Sequence, residues 1–333
     1  VGRRVLLNKL ELQKQLQAFY RQLARQEPLQ TSDPDAPARR LYDALIGPIA
    51  PMLTEQGVTT LVIAAERGLQ AVPFAALHSG TSYFGETYAF SVTPSLQLTS
   101  LGPPTGAQGR MLAAGASRFP ELAPLPLVEQ ELQRMNNDAG VDRFLNNEFT
   151  PDVLLDMALQ NEYGYVHIAT HAEFLPGGPQ NARIYAGTGA IPMSRFSDVR
   201  QGRQEKPINL FSLSACRTAV GDGDSELGFA GLALQAGAKS AAGSLWYVDD
   251  IATSAFFVQF YRYLGQGLPK AEAMQQVRVD ILDGRIRQDG DRILGADDAP
   301  LLTNLTREQQ RRVSTGLSHP FFWGGIELLG VPW

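Results

Sequence analysis

Three short apolar runs, at residues 163–169, 208–214 and 239–246, constrain this chain more than any other feature. Each has the length and bounding residues of a strand buried on both faces. Helical patterns accompany them. A helix at 151–160 carries proline in its first turn. Another, capped by Asp224 or Ser225, runs to Ala236 and is closed by Gly237. Asp249 and Asp250 cap a third over 251–264, and Pro269 opens a fourth that ends near Gly284. The first half repeats the alternation. Strands are expected at 58–64, 88–92 and 110–115, and helices at 38–46, resuming near Met52, and at 129–135. Phe321 to Leu329 reads as a last strand. Alternating strands and helices imply crossover connections, hence an α/β fold: a mostly parallel sheet flanked by helices.

Around this frame, Leu6, Leu10, Leu16, Phe19 and Leu23 form a helical stripe over residues 5–25. That helix is expected to pack on the domain or on helices upstream. Pro34 and Pro37 mark a linker at 31–37. Residues 175–207, rich in Gly, Pro, Arg and Gln, read as a long mobile insertion. Residues 285–318 read as polar surface, irregular or helical.

Composition removes several function classes. With 44% hydrophobic and 19% charged residues in 333, the chain builds a core rather than staying disordered. A net charge of −5 is not that of a polycation seeking nucleic acid. No run of about 18 uninterrupted apolar residues occurs, so no membrane span is expected. The single cysteine, Cys216, forms no internal disulfide and suits a reducing compartment such as the cytoplasm. The chain opens Val1-Gly2-Arg3-Arg4, without methionine or a signal-peptide core. It is expected to be a piece of a longer protein.

Two of the apolar runs end beside reactive side chains. His171 follows the first and Cys216 follows the second. In open parallel sheets the ligand crevice lies beyond the carboxyl ends of the strands. If the two strands are neighbours, imidazole and thiol face each other there. A thiol near its ordinary pKa of about 8.5 is only a few per cent thiolate at neutral pH. An imidazole accepts its proton and later protonates the leaving amine. The backbone N–H groups of Ala172 and Cys216 are candidate oxyanion donors. Each residue has an alternative: a small core cysteine and a hydrogen-bonded structural histidine. His167 is expected in the core, and His78 and His319 as structural or surface residues. Trp246 and Tyr247, after the third run, either shape the substrate channel or cover the core edge. Phosphate-loop, nucleophile-elbow and zinc spacings are absent. The acidic stretch 222–226 lacks the glycine of a calcium loop, so neither metal nor cofactor is expected.

Several motifs in order carry a resemblance. They are L-Y-D-A-L-I-G-P-I at 41–49, V-P-F-A-A-L at 72–77, T-P-S at 93–95, A-T-H at 169–171, L-S-A-C-R-T-A at 213–219, G-L-A-L-Q-A-G-A at 231–238, S-L-W-Y-V-D-D at 244–250 and H-P-F-F-W-G-G-I-E-L-L-G at 319–330. Over residues 40–333 the chain resembles the CHAT family, caspase-like cysteine proteases often joined to tetratricopeptide repeats. The resemblance implies a three-layer caspase-like fold. Residues 1–37 would be an N-terminal helix and linker, 38–150 a catalytically empty caspase-like half, and 151–333 the catalytic half. It implies a His171–Cys216 dyad and a cysteine endopeptidase acting on protein substrates. A tetratricopeptide-repeat region or regulatory protein is the expected partner, with neither nucleic acid nor membrane. The related separases use an acid in a similar L-W-x-V-x-D context for arginine. Asp250, with Asp249 in reserve, is therefore expected to recognise a basic residue before the cut. A catalytically silent scaffold is the main alternative, and an acyl-transfer hydrolase of small amides a further one. Arg195, Arg200 and Arg203 are expected as self-cleavage sites.

Overall fold

The computed structural model describes residues 8–65, 69–93, 96, 99, 109–174, 182–203, 206–214, 237–246 and 249–333. Eight strands build one sheet: β1 (Thr60–Ala64), β2 (Ala89–Thr93), β3 (Arg110–Gly115), β4 (Val141–Leu145), β5 (Tyr163–Ala169), β9 (Leu210–Ser214), β10 (Ser240–Ser244) and β14 (Ile326–Gly330). Their spatial order is β1-β2-β14-β10-β9-β5-β3-β4. Every neighbouring pair is parallel except β10–β14. The sheet is therefore two parallel blocks joined antiparallel at β10–β14, with β14, β10, β9 and β5 in the middle and the pairs β1–β2 and β3–β4 from residues 38–150 at its two ends.

Strand alternation divides the core. Leu112, Ala114, Val166, Ile168, Phe211 and Leu213 face one side, against Leu154, Leu155, Phe196 and Val199. Those partners come from α6 (Pro151–Leu159) and α7 (Phe196–Gly202). Met111, Ala113, Tyr165, Ala169 and Leu210 face the other side. There lie α5 (Val128–Arg134), α8 (Asp250–Gly265) and α9 (Lys270–Leu282); α1 (Lys9–Ala24), α2 (Pro37–Leu45), α3 (Ala50–Glu55) and the single turn α4 (Phe84–Thr87) join the same core cluster. Burial on both faces is why the strands read as continuous apolar runs.

Four regions differ from the sequence expectation. Residues 172–202 are not a featureless insertion. β6 (Ala172–Phe174), β7 (Ala182–Ala186) and β8 (Gly189–Pro192) form an antiparallel sheet leading to α7, with Ile184 and Ile191 fully buried. Residues 285–318 hold a second small sheet, β11 (Arg287–Asp289), β12 (Arg292–Leu294) and β13 (Pro300–Leu302), then α10 (Arg307–Arg312). Ile293, Leu301 and Val313 bury that region against the main body. Each of these strands contributes too few apolar residues to show a period. β4 went unexpected because it is a charged sheet edge, where Arg110 bonds Asp142 from the neighbouring strand. The last strand begins at Ile326 because Pro320–Phe322 forms a 3-10 turn first. The helix expected up to Ala236 lies outside the described residues. No helix among the described residues is long and apolar enough to cross a membrane.

Candidate active site

β5 and β9 run parallel and in register, with Ala169 opposite Ser214. Both leave the sheet at the same end, where the Thr170 N–H donates to the Ser214 carbonyl at 3.2 Å. His171 stands two residues past the end of β5. Cys216, two positions after Ser214 in the sequence, lies outside the described residues, as does Tyr247.

The His171 ring is held by the loop between β3 and α5. Its Nε2 is 2.8 Å from the Ala123 carbonyl oxygen, and Phe119 packs on it at 4.7 Å between centroids. A carbonyl only accepts, so Nε2 carries the proton and the lone pair of the neutral imidazole sits on Nδ1. The loop is closed by the Leu125 N–H donating to the Ser117 carbonyl. Thus residues 116–127, from the half without the reactive residues, orient the histidine. On its C-terminal side the Tyr185 N–H donates to the His171 carbonyl at 2.9 Å. Bonded and non-bonded pairs alternate along an antiparallel ladder. The next pair, Ala172 with Ile184, is therefore non-bonded, and the Ala172 N–H points away from β7.

A narrow cleft opens beside these strand ends. Thr170 and Ser214 form its sheet side, Leu125, Leu127 and Val128 an apolar wall, and Asp250, Thr253 and Ser254 the first turns of α8. Glu131 of α5 completes the lining.

Of the two aspartates, Asp250 lines the cleft and Asp249 does not. Asp249 is the N-cap of α8, accepting from the Ile251 N–H at 2.9 Å. Burial pushes its carboxyl up, and Arg312 beside it pulls the other way. The Arg312 guanidinium reaches both acids: its Nε is 3.1 Å from Asp249 Oδ2, and Nη2 bonds Asp250. Trp246 is half-buried away from the cleft lining. It donates from Nε1 to the Phe321 carbonyl at 3.0 Å, and Tyr20 stands edge-on to it at 5.8 Å. Arg203 is almost fully buried and donates to the Ala158, Gln160, Tyr163 and Lys206 carbonyls. That corrects its expectation as a cleavage site, since a protease cannot reach it without unfolding.

His167 is fully buried, as expected of a core residue, but it has a polar partner that sequence reasoning missed. Its Nε2 is 3.0 Å from Glu131 Oε1, while the Ser254 hydroxyl donates to Glu131 Oε2 at 2.7 Å. The signal was present. Val128, Leu132 and Met135 mark the buried stripe of α5, and Glu131 falls on it. His319 is structural: Nε2 donates to the Glu27 carbonyl and Nδ1 accepts from the Phe321 N–H. His78 is buried against Tyr83. Among the described residues no three His, Cys, Asp or Glu gather as metal ligands.

The CHAT domain family model matches residues 35–331, nearly the whole chain. The chain belongs to the CHAT domain family. Human tetratricopeptide repeat protein 28 is 24% identical over 304 residues, an alignment covering 74% of this chain and 12% of that protein. Two structures of the Saccharomyces cerevisiae separase–securin complex share its fold. Their TM-scores are 0.52 and 0.53 at 11% and 12% identity, over 98% of this chain and 22% and 23% of theirs. This CHAT domain therefore has the caspase-like architecture of separase and spans less than a quarter of the length of either relative.

Proposed function

We propose that this CHAT domain is a cysteine endopeptidase that cleaves protein chains after a basic residue, with Cys216 as nucleophile and His171 as general base. The observation that carries the reading is the pairing of β5 with β9, in register to Ala169 and Ser214. The two strands therefore end side by side, one two residues before His171 and the other two residues before Cys216 in the sequence. In the proposed reaction, Nδ1 of His171 takes the thiol proton. The thiolate sulfur attacks the scissile carbonyl carbon, and the carbonyl π pair moves to oxygen. The Ala172 N–H is free of the β6–β7 ladder to donate to that oxyanion, with the Cys216 N–H as its proposed companion. Collapse expels the amine, which takes the proton from His171, and water then hydrolyses the thioester. The cleft beside the dyad positions would take the side chain preceding the cut. Asp250 at its rim supports a basic one, because a guanidinium pairs bidentately with a carboxylate. Trp246 and Tyr247 are proposed to border the substrate path, and Asp249 to hold Asp250 in place through the helix cap and Arg312.

A free thiol nucleophile suits a reducing compartment, and the proposal places the enzyme in the cytoplasm. The relatives are much longer, and one is a tetratricopeptide repeat protein. A repeat region or a separate regulatory protein, as separase is found in complex with securin, is the proposed partner.

The test compares wild type with Cys216→Ala and His171→Ala on a proteome-derived peptide library, with cut sites read by mass spectrometry. Each substitution is expected to lower cleavage by about three orders of magnitude at unchanged circular dichroism. Near-normal turnover in Cys216→Ala would refute the assignment.

A further inference from the structure

We infer that Glu131, not Asp250 alone, is the carboxylate that selects the basic side chain, so that the cleft is a two-acid pocket with its principal charge at Glu131. This deepens the proposed specificity and rests on it. The starting point is what already occupies each acid. Asp250 is engaged by the Arg312 guanidinium, a full positive charge from the same chain. A substrate cation meeting Asp250 encounters a carboxylate already compensated. Asp249 spends Oδ1 on the helix cap and Oδ2 on Arg312, and does not reach the cleft. Glu131 is different. Its partners are the Ser254 hydroxyl and the Nε2 of His167, both donors, one to each oxygen. Neither is an arginine or a lysine, and a carboxylate offers about four lone-pair sites in all. Acceptor capacity therefore remains on Glu131, which lines the cleft.

The surroundings fit a cationic side chain. Leu125, Leu127 and Val128 offer an apolar wall for a methylene stem, and Thr170, Ser214, Thr253 and Ser254 complete a polar side. Glu131 is 1% exposed, so a charge there interacts through little water. His167 and Ser254 fix its direction: His167 is wedged edge-on against Phe257 and Tyr261, and Ser254 sits in the first turns of α8. A carboxylate locked in place recognises a cation without losing side-chain freedom on binding. A neutral side chain would leave it buried and unmatched, which is the stronger source of discrimination.

The near-isosteric Glu131→Gln removes the charge, keeps its amide oxygen as acceptor for His167 Nε2, and turns its NH2 to donate to the Ser254 hydroxyl oxygen in place of the bond it received. On the peptide library it is expected to lower kcat/KM after arginine and lysine by about tenfold or more relative to neutral residues. Asp250→Asn is expected to have the smaller effect. Unchanged arginine preference in Glu131→Gln would overturn the inference. Should Glu131→Gln fail to fold, Glu131→Asp retracts the charge by one methylene and is expected to raise the arginine-to-lysine ratio; an unchanged ratio would count against it. A second arm needs no catalysis. Agmatine, an arginine without its carboxyl, is titrated by calorimetry into Cys216→Ala with and without Glu131→Gln. Binding that falls about tenfold or more with Glu131→Gln supports the pocket even if the wild type cuts nothing, an outcome that would sink only the protease reading. Equal agmatine binding in the two would overturn the pocket and leave the dyad standing.

Discussion

Lys270 shows how a single buried charge sets a pH dependence. It is the first residue of α9, 3% exposed, with Nζ 3.3 Å from the Asn209 carbonyl oxygen and 3.2 Å from its Oδ1. Two neutral acceptors do not replace the water it lost. Burial pulls its pKa from 10.5 down to about 7, and Lys239 nearby acts in the same direction. Between those values the unfolded chain binds more protons than the folded one, so stability rises with pH through that window. Below about pH 7 the folded protein carries the whole cost of the buried ammonium. Lys270→Met is expected to raise the urea midpoint at pH 6, by an amount on the order of a few kcal/mol in stability. At pH 9 the gain should be smaller. Equal gains at the two pH values would mean that the ammonium is not the cause. Glu131 and Asp250 are both acids and differ in their partners.

At the scale of elements, the placement of α5 decides where Glu131 sits, and Gly115 decides how closely α5 approaches the sheet. A Cβ on Gly115 would lie 2.6 Å from Val128 Cγ1, 2.8 Å from the Ala169 carbonyl oxygen and 2.9 Å from Leu132 Cδ1. The Ala169 carbonyl is held in the sheet, and Val128 and Leu132 press on the new methyl from α5, so both the strand pairing and α5 must shift. Gly115→Ala is expected to cost about 1–3 kcal/mol, read as a lower thermal midpoint. It should also weaken agmatine binding, because the shift carries Glu131 with it. A variant of unchanged midpoint would show that the helix has slack. The small sheets β6–β8 and β11–β13 illustrate a different limit. Strands of three to five residues need neighbours before their alternation means anything, and those neighbours are supplied only by folding.

For the molecule as a whole, the N-terminal helix is part of the body rather than an appendage. Phe19 and Leu23 of α1 are buried in the main core, and the Tyr20 hydroxyl donates to the Ala71 carbonyl. Tyr20 also touches Trp246, only a few residues from Asp250 in the chain. Deleting residues 1–27 uncovers these side chains, at about 1.5–3 kcal/mol for each large apolar one. A fall of several degrees in the thermal midpoint is expected by calorimetry. An unchanged midpoint would mean that α1 adds nothing to the fold.

The sequence by itself determined the layered α/β architecture, because strands 163–169 and 208–214 and the helices around 151–160, 251–264 and 269–284 each carry a local period or cap. It also singled out His171 and Cys216 as the candidates for chemistry, since histidines and cysteines are few and these two follow strand ends. What the tertiary structure decided is who stands beside whom. That β5 neighbours β9, that Ala123 orients His171, and that Arg312 engages Asp250 while His167 and Ser254 turn Glu131 into the cleft are contacts between residues distant in the chain. No local pattern encodes them, because they arise only when helix faces and strand ends pack against one another and buried polar groups must find partners.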